Sequence, residues 1–175
     1  MKKFLLILVI FLISVISISA QTVIGKEIRY RDVEWADFTG EIDTTSKYDA
    51  YTDWKTTYSF PAPKIFGDKV RVTLAVRLYL TIASWVKPNK KSARLLNHER
   101  GHFKIGRLCA DELEKTINSM EFSRNNYHKE INEKYWEIIK KHQEMNRQYD
   151  KDTNHYNNQD QQEIWDKKLN DQLNQ

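Results

Sequence analysis

A regular alternation of apolar and polar residues runs over positions 70–82. Such a period of two predicts a β-strand, and the mostly polar second face predicts a sheet covered on one side only. Upstream, residues 21–67 place aromatic residues between Asp, Thr and Ser, which is typical of short strands and loops. The apolar face of the predicted strand consists of Val70, Val72, Leu74, Val76, Leu78, Leu80 and Ile82.

The second half of the chain changes to helical spacing. Apolar residues recur three and four positions apart over 91–118, where no Pro interrupts, and this predicts a helix. We expect a more polar second helix over 128–146, a polar connector over 149–158, and a last helix over 159–173, with a C-terminal end that could fray. The order predicts an α+β fold, in which a small antiparallel sheet packs on the first helix and further helices follow.

The first 20 residues predict an export signal. A basic start is followed by residues 4–20, which carry no charge and end in small residues. We therefore expect a signal peptide over 1–20 and a single domain over 21–175, in a secreted or periplasmic protein without a stable membrane anchor after cleavage. An uncleaved anchor is the alternative, because these 17 residues are close to the shortest span of a bilayer.

Charge and cysteine content exclude two classes of function. The chain has 28 basic and 24 acidic residues, and without Lys2 and Lys3 the basic count falls to 26. This small excess is spread along the chain, which argues against a nucleic-acid partner. Cys109 is the one cysteine, so an internal disulfide and a zinc site built from several thiolates are both excluded.

Candidate chemistry lies in the sequence His98-Glu99-Arg100-Gly101-His102, which matches the pattern His-Glu-x-x-His on a predicted helix. Residues four apart lie on one helix face, so His98 and His102 can reach one metal ion. Glu99 lies about 100° further around the axis and could act as general base for a water molecule. We therefore predict two zinc ligands and a catalytic base. The alternative is a surface helix that carries these residue types by chance.

A catalytic zinc site needs a third protein ligand. A helix rises about 1.5 Å per residue, so the acidic residues Asp111, Glu112 and Glu114 on the same helix lie too far from His102. The third ligand must therefore follow that helix in the chain. The candidates are His128, Glu130, Glu133, Glu137, His142, Asp150, Asp152 and His155.

Four segments, in this order, carry a family resemblance: WADFTG at 35–40, SWV at 84–86, LNHERGHF at 96–103 and YDKDTNH at 149–155. With them the chain resembles DUF922, a family of predicted secreted zinc-dependent proteases, and especially its members from the Bacteroidetes. The resemblance covers nearly all of the mature chain. It implies a metal-dependent hydrolase, for which we expect a zincin-like fold.

The resemblance also implies roles for the last segment. His155 becomes the first choice for the third zinc ligand. Asp150 comes second, as a ligand or as a partner that orients an imidazole. Tyr149 or Tyr156 could donate a hydrogen bond to an oxyanion. In DUF922 this segment usually continues His-Gly, whereas Tyr156 follows His155 here.

The sequence thus predicts a zinc metallohydrolase, with protease as the favoured class and Zn²⁺ as cofactor. The expected partner is a peptide or protein substrate, including the peptides of a cell wall. Two alternatives stay open. A non-catalytic zinc-binding module would share His98 and His102 but would need no general base, and an envelope interaction protein would carry a vestigial site.

Overall fold

The computed structural model describes residues 25–174, and the predicted signal peptide over 1–20 lies outside this range. Within it, eight short strands precede or separate three helices. The strands are β1 (Gly25–Glu27), β2 (Ala50–Tyr51), β3 (Trp54–Ser59), β4 (Lys64–Phe66), β5 (Lys69–Arg71), β6 (Ala75–Thr81), β7 (Trp85–Val86) and β8 (Phe122–Ser123). The helices are α1 (Ala93–Ser119), α2 (Tyr127–Thr153) and α3 (Gln159–Leu173).

The strands form three small antiparallel sheets. In the first, β6 lies between β1 and β3, with Trp54 opposite Leu80 and Ser59 opposite Ala75. The second pairs β2 with β7, and the third places β5 between β4 and β8. Small antiparallel sheets together with three helices confirm the predicted α+β class.

The alternating segment forms two strands in different sheets, so the prediction of one strand over 70–82 is wrong. The break between β5 and β6 has a physical cause in the side chain of Asn118 on α1. Its Oδ1 accepts a hydrogen bond from the Leu74 amide at 2.6 Å, and its Nδ2 donates to the Leu74 carbonyl at 3.0 Å. Because both backbone groups of Leu74 are bonded to this side chain, they are not available to a strand ladder.

The alternation nevertheless decides which side of the segment is buried. Ile82 is the exception, because it follows the end of β6 in a turn and is 50% exposed. The other apolar positions form one side of the main core, as the period of two predicted. They are Val70, Val72, Leu74, Val76, Leu78 and Leu80.

Helix α1 is the central element of the fold, since it packs against β3 and β6 on one side and against α2 and α3 on the other. Its start is capped by Ser92, whose hydroxyl oxygen accepts a hydrogen bond from the Leu95 amide at 3.1 Å. Phe103 and Leu113 are buried in the core beside the sheet. The bounds Ala93–Ser119 confirm the predicted helix.

Helix α2 extends further than predicted. The connector expected over 149–158 is wrong for residues 149–153, which continue the helix. Tyr149 and Thr153 are fully buried on its inner face, and this tertiary packing outweighs the polar composition of the stretch. Asn154 then ends the helix in the left-handed conformation. Helix α3, over Gln159–Leu173, confirms the last predicted helix.

A second, smaller hydrophobic cluster joins the three helices. It contains Ile105 from α1, Tyr149 from α2, and Trp165 and Leu169 from α3. This cluster holds the inner faces of α1 and α2 side by side, which is what brings their polar residues into contact. None of the helices within residues 25–174 has the length and apolar character needed to cross a membrane.

Asp37 is a buried carboxylate that fixes the segment before β2. It accepts two hydrogen bonds from Arg31, at 2.7 and 2.8 Å, and one from Lys26 Nζ at 2.6 Å. The Glu34 amide donates to it at 2.9 Å. The hydrogen bonds from Arg31 hold the pKa of Asp37 well below its usual range, although burial acts in the opposite direction.

We expect Asp37→Asn to lower the free energy of unfolding by about 1–3 kcal/mol near pH 7. Because the pKa of Asp37 is lowered on folding, its stabilising contribution is present above the unfolded pKa of about 3.9 and is lost as the pH falls below it. Urea unfolding of the wild type and Asp37→Asn, near pH 7 and at about pH 3, measures the free energy of unfolding of each protein. The difference between the two proteins should be smaller at the lower pH. Asp68→Asn, at an exposed turn, is the control, with a change of less than about 0.5 kcal/mol.

Candidate metal centre

The facing sides of α1 and α2 bring three metal-binding side chains together. His98 and His102 lie one turn apart on α1, and their Nε2 atoms are 3.1 Å from each other. Asp150 on α2 places Oδ1 3.2 Å from His98 Nε2 and 3.1 Å from His102 Nε2. Both imidazoles are buried. These three residues form a group that could hold a metal ion.

The orientation of the His98 ring is set by Gln162 on α3. The amide nitrogen of Gln162 donates to the Tyr149 hydroxyl at 2.6 Å and to Asp166 Oδ1 at 2.8 Å. These bonds turn its Oε1 toward His98 Nδ1, at 3.1 Å. An amide oxygen only accepts hydrogen bonds, so Nδ1 carries the hydrogen, and Nε2 of the neutral ring presents its lone pair to the centre.

His102 is held in the same way by Asn146, whose Oδ1 lies 2.8 Å from His102 Nδ1. Two imidazole lone pairs and a carboxylate oxygen therefore converge, and they repel one another unless positive charge lies between them. Ligand atoms about 2.0 Å from a tetrahedral zinc ion would be about 3.3 Å apart. The observed separations of 3.1–3.2 Å are close to this value, so the donor set fits a metal ion.

The charges around the centre also favour a cation. Burial alone would lower the pKa of His102, but the hydrogen bond that its protonated form donates to Asp150 and the negative charges of Asp150 and Glu99 raise it. Burial alone would raise the pKa of Asp150, but the hydrogen bonds that protonated His102 and His98 donate to it hold it far below its usual range. The group is therefore arranged to stabilise positive charge at the imidazole nitrogens.

Glu99 follows His98 on α1, and its side chain is buried. Its Oε2 accepts a hydrogen bond from the Thr52 hydroxyl at 2.6 Å. Thr52 belongs to the short link between β2 and β3, and sequence analysis gave no reason to select it. The two residues are 47 positions apart, and only the fold brings them into contact.

A cleft of about 560 Å³ opens above these residues. One wall is the segment over 47–52, which includes β2. The opposite wall follows the end of α2. The cleft is lined by Lys47, Tyr48, Asp49, Ala50, Tyr51, Thr52, Leu95, His98, Glu99, His102, Asn146, Asp150, His155, Tyr156 and Asn157.

His155, the first choice for the third ligand, lies at the edge of this group. Its Nδ1 is 3.0 Å from Asp150 Oδ1, and its ring packs against Tyr48 with the centroids 4.7 Å apart. The structure thus brings Asp150, the second choice, to both imidazoles and places His155 against the same carboxylate. A ligand role for His155 stays a prediction.

The other candidates for the third ligand make contacts elsewhere. None of them belongs to the metal-binding group found within residues 25–174. His142 Nδ1 lies 3.1 Å from the Ile138 carbonyl oxygen. Glu130, Glu133 and Glu137 contact Ser123, Lys129 and Lys134, Asp152 accepts a hydrogen bond from Trp165, and His128 packs against Phe60.

Tyr149 lies behind the imidazoles, outside the residues that line the cleft. Its hydroxyl donates to the His98 carbonyl at 3.0 Å, and its ring stacks on the His98 ring with centroids 4.8 Å apart. The tyrosine approaches so closely because Gly101 has no side chain there. A Cβ at Gly101 would overlap the hydroxyl and the ring of Tyr149. Gly101 in the His-Glu-x-x-His segment thus lets α1 and α2 meet.

The DUF922 family, described as a bacterial protein of unknown function, matches residues 29–156. The chain belongs to this family. The matched range contains His98, Glu99, His102, Asp150 and His155, and it ends before α3. No match was found among curated proteins or among solved structures.

The turn that carries His155 and Tyr156 has a left-handed backbone. Asn154, His155 and Tyr156 have φ angles of 46°, 48° and 68°, in the left-handed region that glycine adopts readily and that costs other residues roughly 1–2 kcal/mol each. Arg94 holds this turn through hydrogen bonds to the carbonyls of Tyr156 and Asn157, at 2.9 and 2.8 Å. The Tyr156 hydroxyl donates to Asp49 across the cleft at 2.6 Å.

We expect Gly101→Ala to lower the free energy of unfolding by about 1–3 kcal/mol, because the added methyl group forces Tyr149 and α2 away from α1. Chemical denaturation measures the loss. Lys115→Ala, at an exposed position on the same helix, should change stability by less than about 0.5 kcal/mol. Equal stability of Gly101→Ala and the wild type would show that the two helices do not depend on this close approach.

We also expect Asp150→Asn to weaken metal binding by more than about 100-fold, since it neutralises the carboxylate whose Oδ1 contacts both imidazoles, and His155→Ala to weaken it by about tenfold or less. Isothermal titration of the metal-free variants with Zn²⁺ measures both. Glu137→Gln, on an exposed part of α2, is the matched control. A larger loss in His155→Ala than in Asp150→Asn would reverse the assignment of the third ligand.

Proposed function

We propose that this DUF922 protein is an exported zinc-dependent hydrolase of amide bonds, and specifically a protease. One observation carries the proposal: a buried carboxylate, Glu99, lies in the same cleft as the converging group of His98, His102 and Asp150. We propose a zincin-like arrangement, which is supported by two histidines on one helix and a carboxylate on a later helix. A purely structural site would need no separate carboxylate in the cleft.

In the proposed mechanism His98, His102 and Asp150 hold the zinc ion. The bound ion would lower the pKa of a water molecule and polarise the carbonyl of the scissile bond. Glu99 would accept a proton from the water molecule that adds to the carbonyl carbon, and it would pass that proton to the leaving nitrogen as the C–N bond breaks. Burial of Glu99 strengthens its electrostatic interactions, because little bulk water screens them.

The residues around the imidazoles keep the centre in one arrangement. Gln162 keeps the hydrogen on Nδ1 of His98, and Asn146 keeps it on Nδ1 of His102. The Nε2 lone pairs of both rings therefore point to the centre. Such partners raise the basicity of the ligands and restrict ring rotation. His155 stands at the cleft wall, where a hydrogen bond from its ring could stabilise an oxyanion, whereas the Tyr156 hydroxyl would first have to release Asp49.

The backbone of β2 supports a peptide as substrate. The Lys87 amide donates to the Asp49 carbonyl at 2.9 Å, and Tyr51 is paired with Trp85, so Asp49 and Tyr51 direct their backbone groups toward β7. In an antiparallel pair, successive residues of a strand direct their backbone groups alternately toward and away from the partner strand. Ala50 therefore directs its amide and carbonyl away from β7. Ala50 also lines the cleft. An extended peptide could pair with this edge.

The proposed location follows from the N-terminal segment. A basic start, an uncharged run over 4–20 and small residues before Gln21 favour export and cleavage. Its protein substrates, or the peptides of a cell wall, would then lie outside the cytoplasm. The single Cys109 is compatible with that environment, because no internal disulfide is needed.

Glu99→Gln tests the proposal. We expect the variant to bind zinc at the same stoichiometry as the wild type and to lose hydrolysis by about 100-fold or more, because only the general base is removed. Zinc content is measured by elemental analysis, and hydrolysis with fluorescent casein and a quenched peptide library. Glu112→Gln, elsewhere on α1, is the matched control and should remain as active as the wild type.

Three outcomes would count against the proposed activity. Full hydrolysis by Glu99→Gln would exclude Glu99 as the base. A zinc-replete wild type without hydrolysis of any of these substrates would favour a non-catalytic metal-binding module, in which His155 beside Asp150 closes the coordination sphere. A wild type that does not bind zinc would favour an interaction protein with a vestigial site.

A further inference from the structure

We infer that Thr52 is a positioning residue for the Glu99 carboxylate, holding it in the orientation that a base needs; this inference rests on the function proposed above. The Thr52 hydroxyl is 2.6 Å from Glu99 Oε2, and both residues are buried. Within residues 25–174 no other side chain makes a hydrogen bond to that carboxylate. Thr52 therefore determines how the carboxylate faces the cleft.

The position of Thr52 is itself fixed by the next residue, Asp53. The Asp53 amide donates to Ser84 Oγ at 2.9 Å, and its carbonyl accepts from the Thr81 amide at 2.9 Å. The Asp53 carboxylate accepts from Thr81 Oγ1 at 2.5 Å. Backbone and side chain of Asp53 are thus tied to the end of β6 and the turn that follows, so Thr52 cannot easily move away from Glu99.

These contacts give a structural role to the segment Ser84-Trp85-Val86, which takes no part in the proposed mechanism. Ser84 is fully buried, and its hydroxyl is placed between the amide and the carbonyl of Asp53, donating to the latter at 3.1 Å. Trp85 and Val86 pair with β2 immediately before Thr52. The segment therefore supports the strand end that carries the Thr52 hydroxyl to Glu99.

The chemistry of the contact suits a base. A hydroxyl that donates to Oε2 satisfies one carboxylate oxygen and restricts rotation of the group, which leaves Oε1 to accept a proton from a molecule in the cleft. Hydrogen bonds from a neutral donor to a charged acceptor are stronger than those between two neutral groups. Without this bond the carboxylate could turn away from the cleft or lose its fixed orientation.

The experiment needs no knowledge of the natural substrate. The wild type and the variants Thr52→Val, Thr52→Ser and Glu99→Gln are loaded with Co²⁺, whose visible absorption reports ligands at the centre. Each is titrated with acetohydroxamate, which gives up a proton on binding beside a carboxylate base, and with azide, which has no proton to give. Thr56→Val is the matched control, because Thr56 is a buried threonine bonded to Tyr135 at 2.9 Å, outside the cleft.

We expect Thr52→Val to weaken acetohydroxamate binding by about 10- to 100-fold and Thr52→Ser, which keeps the hydroxyl, to weaken it by less than about threefold. Azide affinity should be the same in the wild type, Thr52→Val and Thr52→Ser, and Glu99→Gln, which removes a negative charge, should not bind azide more weakly. Thr56→Val should bind both ligands as the wild type does. A merely structural role of Thr52 would change azide and acetohydroxamate affinity together.

The outcomes separate this inference from the proposed function. If Glu99→Gln weakens acetohydroxamate binding and Thr52→Val does not, the inference is overturned and the base remains. A loss in Thr52→Ser as large as in Thr52→Val, or a parallel loss of azide binding, also overturns it. Unchanged binding by Glu99→Gln, or the absence of cobalt absorption in the wild type, overturns the proposed function and the inference together.

Discussion

The candidate metal centre depends on one electrostatic constraint, which is that two imidazole lone pairs and a carboxylate oxygen are held about 3 Å apart between α1 and α2. Such an arrangement is unfavourable by itself, so the surrounding structure must impose it. The smaller hydrophobic cluster between α1, α2 and α3 does so. Gly101 allows the close approach, and Gln162 and Asn146 orient the rings. The packing of the three helices and the polar contacts of Gln162 and Asn146 thus hold the two imidazoles and the Asp150 carboxylate together.

The sequence was sufficient where a short period or a local motif carried the information. The spacing of His98 and His102 placed both rings on one helix face, and the structure joins them in one group. The alternation over 70–82 correctly selected the buried face. The recurrence of apolar residues at helical spacing located α1 and α3. In each case the deciding contacts join residues that are close in the sequence, so the sequence pattern predicts them.

Long-range contacts explain what the sequence could not provide. Nothing near Leu74 indicates that Asn118 will interrupt the strand, and nothing near Glu99 points to Thr52. Polar composition suggested a connector after position 148, whereas burial of Tyr149 continues the helix and thereby brings Asp150 to the imidazoles. The family resemblance favoured His155, whereas the continued helix, which tertiary packing decides, places Asp150 against both imidazoles.

The position of helix α3 limits how this fold can change in evolution. It begins at Gln159, beyond the region shared with DUF922, yet its Gln162 selects the tautomer of His98. The tautomer of a histidine in the shared region is therefore set by an element that the shared region does not contain. A lineage that lost or replaced this helix would need another acceptor at the same place. Otherwise His98 would be free to take the other tautomer, in which Nε2 carries a hydrogen instead of a lone pair.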